Sequence, residues 1–114
     1  MAAQIVVDRV VVERHDGLEW LYYSPGHPNA SFAIHLRPNT PVARIEDFEL
    51  PRRGAEALLK AFVDKARGHL KATKQMLRAK PADSMDEELL KSVGFTREPT
   101  GEYSLDLRPL PKTP

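Results

Sequence analysis

A chain of 114 residues without cysteine has room for one hydrophobic core and excludes a disulfide framework, a thiolate metal site and a thiol nucleophile. Apolar residues at 41% and charged residues at 29% are the proportions of a folded globular domain and exclude wholesale disorder. No apolar run approaches the roughly 20 residues of a membrane span, and acidic residues interrupt the N-terminus where a signal peptide would be apolar, so the expected location is the cytoplasm.

The stretch AQIVVDRVVVERH, residues 3–15, is rich in β-branched side chains and reads as a strand, with Val6, Val10 and Val12 on one side and Val7, Arg9 and Glu13 on the other. Asp16-Gly17 supplies a hairpin turn, and LEWLYYS returns as a second strand. Two prolines and a glycine in SPGHPN break the chain, ASFAIHLRP alternates as a third strand, NTP turns, and VARIEDFEL alternates as a fourth. By the same alternation Val42, Arg44, Glu46 and Phe48 share one face, and Glu46 and Asp47 point to opposite faces.

The helical spacing of Leu58, Leu59, Phe62, Val63, Ala66 and Leu70 predicts a long helix from Arg53 to about Leu70. KATKQMLRAKP is ambiguous by periodicity, and its closing proline and place after a helix favour a strand. Asp83 or Ser84 can cap a short helix over MDEELLKSV that stops at Gly94, and REPTGEYSLDLRP ends as a strand with Tyr103, Leu105 and Leu107 on one face. Residues 1–108 therefore read as one α+β domain with a mostly antiparallel mixed sheet, one long helix and one short C-terminal helix. Residues 109–114 read as a loose proline-rich tail.

The joint LPRRGAEALLKAF puts Arg52, Arg53 and Gly54 directly before the long helix. A helix start is an anion site in waiting, because its first backbone N–H groups are unpaired and its dipole is positive there. Against this stands a plain reading in which Gly54 eases a turn and the arginines are solvated. The charge distribution agrees with an anionic ligand: the net charge is +1, but residues 51–80 carry nine Arg/Lys against two Asp/Glu. Nucleic acid is the less favoured partner, because the basic stretch 63–80 lacks stacking aromatics.

The histidines His15, His27, His35 and His69 show no metal-ligand spacing, so no metal site is expected, and His35 is the one placed to line a cleft. Trp20, Tyr22 and Tyr23 offer an aromatic surface on the second strand, with at least one of them used in the core. The valine-rich first strand invites pairing at its free edge, with a homodimer or another protein partner joining through the N-terminal hairpin.

The order of elements, the joint at the fourth strand, and EELLKSVGFTREPTGEYSLDL, with a short helix leading to Gly-Phe and a strand pair, resemble the GNAT family of N-acetyltransferases over about residues 31–108. The resemblance implies acetyl-coenzyme A or another acyl-coenzyme A as cofactor, an unidentified amine as acceptor, and a pyrophosphate loop at Arg52, Arg53, Gly54 and Ala55. It implies a base on the fourth strand, for which Glu46 is preferred over Asp47. The family's usual thiolate-protonating tyrosine is replaced by Leu90, which leaves Tyr103 as the nearest residue of that type. Arg53 falls where the family's first loop glycine stands, and the family's N-terminal helix pair has no counterpart. A non-catalytic relative that keeps the fold to bind a protein, or a copy of itself, is the alternative.

Overall fold

The computed structural model describes residues 5–108, so the tail expected at 109–114 lies outside the described residues. Strands β1 (Asp8–Arg14), β2 (Gly17–Ser24), β3 (His27–Leu36) and β4 (Val42–Glu49) precede helix α1 (Ala55–Leu70). Strand β5 (Met76–Ala79), helix α2 (Ser84–Ser92), and strands β6 (Thr96–Arg97) and β7 (Tyr103–Asp106) follow. All seven strands form one sheet in the order β1-β2-β3-β4-β5-β7-β6. Every neighbouring pair is antiparallel except β4 and β5, which run parallel with α1 as the crossover between them. This is the expected α+β architecture.

Alternation along β3 sets the two faces of the sheet. Ala30, Phe32, Ile34 and Leu36 are buried, whereas Ser31, Ala33 and His35 point the other way. On the buried face α1 lays down Leu58, Leu59, Phe62, Val63, Ala66 and Leu70, the i, i+3, i+4 stripe of an amphipathic helix. The Phe62 ring stacks 5.8 Å from that of Phe32. Leu90 of α2 is fully buried in the same core, so both helices cover one face. On the other face Val12, Glu19, His35, Arg44, Arg78, Ser104 and Thr96 stand opposite one another, strand by strand, across the whole sheet.

Two connections depart from expectation. The prolines and glycine at 24–29 do not break the sheet: Ser24 pairs with His27 across a tight Pro25-Gly26 turn, and β3 starts at His27. The register slips between Tyr23 and Ser24, which accommodates Pro28, since a residue without an N–H sits in sheets at irregularities. The ambiguous segment 71–81 contributes only the four residues of β5. Just before it the buried Lys74 ammonium donates to the carbonyls of Arg37 at 2.8 Å and Thr40 at 2.6 Å. One of the nine cations of the basic stretch is thus used inside the protein, pinning the β3–β4 loop to the turn after α1.

At the far end of α1 the aromatic surface expected on β2 divides between the faces. Tyr23 is exposed, while buried Tyr22 places its hydroxyl 2.9 Å from His69 Nδ1. Trp20 meets His69 edge-on, with the Arg9 guanidinium 4.5 Å above its ring. Burial raises the Tyr22 phenol to about 12, against a smaller opposing effect of Arg9. Burial, then Arg9 and Lys65, lowers His69. Tyr22 is therefore the donor and neutral His69 the acceptor.

Because His69 titrates lower in the folded state than in the unfolded chain, its contribution to stability is complete above the ordinary value of 6.5. It is lost as the pH falls through the depressed folded value. The melting temperature is expected to drop from about pH 7.5 to about pH 5, and to drop less in His69→Gln, whose amide accepts from Tyr22 without titrating. A scan of thermal unfolding against pH reads both.

Two glycines are expected to respond with opposite signs. Gly17 has φ +148° and a Cβ there would lie 2.0 Å from the Leu36 carbonyl oxygen, so Gly17→Ala should cost about 1–3 kcal/mol. Gly68 lies inside α1 with open space where a Cβ would go, so Gly68→Ala should stabilise by about 0.5–1 kcal/mol. Urea unfolding measures the pair.

Candidate functional site

Parallel pairing between β4 and β5 runs from Val42 and Met76 to Ile45 and Ala79 and stops there. Strand β4 continues to Glu49, so its last four residues have no strand partner on the β5 side. At that point the β3–β4 register slips: Ile34 pairs with Ile45 and Ala33 with Asp47, leaving Glu46 as an extra, bulged residue. A bulge turns two consecutive side chains toward one side, and Glu46 and Asp47 accordingly border the same shallow recess with Ala33 and Leu21. The opposite orientation expected from strict alternation is corrected here, and Phe48 passes to the helix-covered side opposite Phe32.

On that side the unpaired end of β4 opens into a cleft of about 940 Å³ between Phe48, the Leu50-Pro51-Arg52 turn, the first turn of α1 and one side of α2 from Ser84 to Ser92. Leu50, Pro51, Met85 and Leu89 give it apolar walls. Both helices start at this cleft with different electrostatics. The Asp83 carboxylate caps α2, accepting from the Asp86 amide at 2.9 Å, and Asp86 accepts in return from the Ala82 amide at 3.1 Å. That positive helix end is already neutralised. No side chain caps α1, whose N-cap Gly54 adopts φ 79°, a left-handed conformation suited to glycine. The free helix start is therefore the one beside Arg52. Around it stand the carboxylates Glu49, Glu56, Asp83, Asp86 and Glu88, with Arg52 the single cation in the wall. The apolar walls suit an elongated ligand with an apolar or amide body, and the uncapped start of α1 suits an anionic end that the surrounding carboxylates oppose.

The bare face of the sheet carries a second polar array. His35 approaches Asp16 Oδ1 through Nε2 at 3.3 Å and Glu46 Oε1 through Nδ1 at 3.9 Å. Arg14 pairs with both Glu19 and Glu46. Burial pushes the Asp16 carboxyl up, but the charge and hydrogen bond of His35 outweigh it and hold the group below the usual carboxylate range. Beside this array His35, Arg37, Thr40, Arg44 and Arg78 line a cavity of about 300 Å³, and Arg78 Nε is buried without an acceptor among the described residues. Among the described residues no group of three or more His, Asp or Glu could hold a metal ion.

Of the residues singled out by sequence, Arg52 and Ala55 line the cleft, Gly54 caps α1, and Arg53 is exposed at the joint outside the cleft wall. Glu46 lies on the other face, at the first position past the last β4–β5 pair. Tyr103 is not brought to either group. It is fully buried opposite Ala79, and its hydroxyl has no partner among the described residues. Leu90 is buried as well. His35 lines the cavity on the bare face rather than the cleft. The grouping of Asp16, Arg14 and Arg78 with His35 escaped the sequence reading, which placed Asp16 in a turn and Arg78 in the basic stretch, because it depends on long-range register and no local motif marks it.

No protein-family model matches the chain, and no curated protein matches it. Solved structures do. A tandem GNAT protein from the clavulanic acid biosynthesis pathway, solved without AcCoA, superposes with a TM-score of 0.51 at 23% identity, over 72% of this chain and 29% of that one. A GNAT-family acetyltransferase from Bacillus anthracis gives 0.57 at 12% identity, over 78% of this chain and 66% of that one. The IAA acetyltransferase from Bacillus cereus ATCC 14579 gives 0.60 at 10% identity, over 90% of this chain and 99% of that one. The chain thus spans less than two thirds of the first two proteins and nearly all of the third. At these identities the likeness establishes the fold: a GNAT-type, acyl-CoA N-acyltransferase-like sheet with its two helices.

Proposed function

We propose that the protein binds acetyl-coenzyme A or another acyl-coenzyme A in the cleft beside α1 and transfers the acyl group to an amine. One observation carries this reading: the unpaired end of β4 and the uncapped start of α1 open into the same cleft. The residues fit such a ligand. The α1 amides, Arg52, and Arg53 just outside would hold the diphosphate, with Gly54 and Ala55 letting it approach. Phe48, Leu50, Met85 and Leu89 would line the pantetheine arm, and β4 amides left without a β5 partner would bond it. The ligand supplies a thioester, whose C–S bond breaks as the C–N bond to the amine forms.

Glu46 is the proposed base. It stands at the bulge where the β4–β5 gap begins, on the face from which an acceptor would approach. There its carboxylate takes the amine proton directly or through water. Tyr103 has no route to the departing thiolate from its buried position, so protonation of that sulfur falls to water. Such a substrate agrees with a cytoplasmic location, and no helix among the described residues is long and apolar enough to cross a membrane.

A second reading has its own observation. The five carboxylates around the cleft oppose a diphosphate, which favours a non-catalytic domain of the same fold that binds a protein partner. Titration calorimetry with acetyl-coenzyme A separates the two. Binding is expected, Arg52→Ala should weaken it by about 1–3 kcal/mol, and Arg53→Ala by less. A saturating ligand should raise the melting temperature. Unchanged affinity in the double variant would remove the joint from the site, and no heat at millimolar ligand would leave the binding domain as the reading.

Glu46→Gln is expected to reduce acyl transfer to a small-amine panel by about 10²-fold or more. Its melting temperature should stay at the parent's value, since the ion pair it shares with Arg14 is exposed and such pairs contribute about 0–1 kcal/mol. A variant that keeps parental turnover takes Glu46 out of the mechanism.

A further inference from the structure

The sheet has two unlike edges. Strand β6 ends one of them with only Thr96–Arg97, too short to template another chain. The other is β1, seven residues paired with β2 in uninterrupted register from Asp8 to Arg14, with no bulge and no proline. Among the described residues nothing pairs with its outer side. Val10 and Val11 are each 48% exposed and Val12 38%. Natural edge strands of this length are ordinarily blunted by a bulge, a proline or a cover; this one is protected only by the charges that flank its valines.

Those charges have an order. Read as Asp8-Arg9-Val10-Val11-Val12-Glu13-Arg14, the strand is complementary to its own reverse. We propose that β1 pairs antiparallel with β1 of a second copy about a two-fold axis at Val11, joining the two sheets into one. In this register Asp8 faces the partner's Arg14, Arg9 the partner's Glu13, Val10 the partner's Val12, and Val11 its own counterpart. Residues directly opposite in an antiparallel pair share a face. Arg9, Val11 and Glu13 lie on the helix-covered side, opposite Tyr22, Trp20 and Leu18 of β2, and the other four lie on the bare side. Each face then carries only valine-on-valine and opposite-charge pairs.

Neighbouring registers lack this property. A shift by one residue sets Asp8 against Glu13, or Arg9 against Arg14. A shift by two leaves the charges facing valines on one side and sets Asp8 against Asp16 on the other. Within one chain Arg9 stacks over Trp20 and Arg14 pairs with Glu19 and Glu46, while Asp8 and Glu13 make no ion pair among the described residues. The second copy supplies them with one. Nothing in this inference depends on the cleft or on the proposed transfer.

The chain contains no cysteine, which permits a direct test. Antiparallel partners stand about 4.5–5.5 Å apart between Cα atoms, inside the range of about 4.4–6.8 Å that a disulfide spans. Val11→Cys should therefore oxidise to a covalent dimer, whereas Val12→Cys, whose counterpart lies about 8 Å away in this register, should do so at least tenfold more slowly.

Sedimentation of the parent across micromolar to millimolar concentrations should show a reversible dimer. Glu13→Arg and Arg9→Glu each set like charges opposite one another and should each raise its dissociation constant at least tenfold. The Arg9→Glu/Glu13→Arg double variant, and a mixture of the two single variants, should restore it. If Arg9→Glu fails to fold for loss of its Trp20 contact, Glu13→Arg and the two cysteine variants decide alone. A parent that is monomeric throughout, a dimer indifferent to Glu13→Arg, or equal oxidation rates at 11 and 12 would overturn the proposal.

Discussion

The parallel pairing of β4 with β5 lasts four residues and stops, and the rest of the molecule is arranged around that stop. Parallel neighbours cannot be joined by a hairpin, so the chain must cross over, and α1 is the crossover. Its return fixes the start of the helix next to the end of β4. Because β5 is shorter than β4, the strands part at that end, and α2 closes the far wall of the space between them. The bulge at Glu46 falls one residue past the last β4–β5 pair, where twist increases and the strand turns away from its former neighbour. Cleft and helix start therefore meet at one mismatch in strand length, and the bulge lies beside it.

The order of elements was legible because each element announces itself locally. The valine-rich strands, the Asp16-Gly17 turn, the six-residue apolar stripe of α1 and the capped start of α2 all carry short-range signals. What is set by partners across the sheet was not legible. A bulge is a property of a pair of strands, so alternation within VARIEDFEL misassigned Asp47 and Phe48 while its residues and strand state were right. The same holds for Tyr103: its strand was clear, but its full burial is set by long-range packing, opposite Ala79. At the site, the Arg52 to Ala55 joint could be found because a helix start has a sequence signature. The grouping of His35 with Asp16, Glu46 and four arginines joins residues from four separate segments and has none.

Buried polar groups divide into the satisfied and the unsatisfied. Lys74 gives its ammonium two carbonyl partners at short distance, converting an expensive burial into a fastening between two loops. Among the described residues Arg78 Nε and the Tyr103 hydroxyl have no partner, and both lie on the adjacent pair β5 and β7. An unmet buried donor costs about 1–3 kcal/mol, so the strands beside the gap carry the most polar frustration in the described sheet. The helix-packed centre, built on Phe32, Phe62 and their neighbours, carries none that is visible.

The strand order also separates the two ends of the chain mechanically. In a single copy, strand β1, nearest the N-terminus, is an outer strand held on one side, and its pairing with β2 begins at Asp8 and Tyr23, the open end of the hairpin. Tension applied there peels one residue pair at a time. Strand β7, nearest the C-terminus, is flanked by both β5 and β6 and cannot leave without breaking two rows of hydrogen bonds. A protease or an unfolding machine pulling from the front of the chain thus meets a zipper, and one pulling from the back meets a strand clamped on both sides.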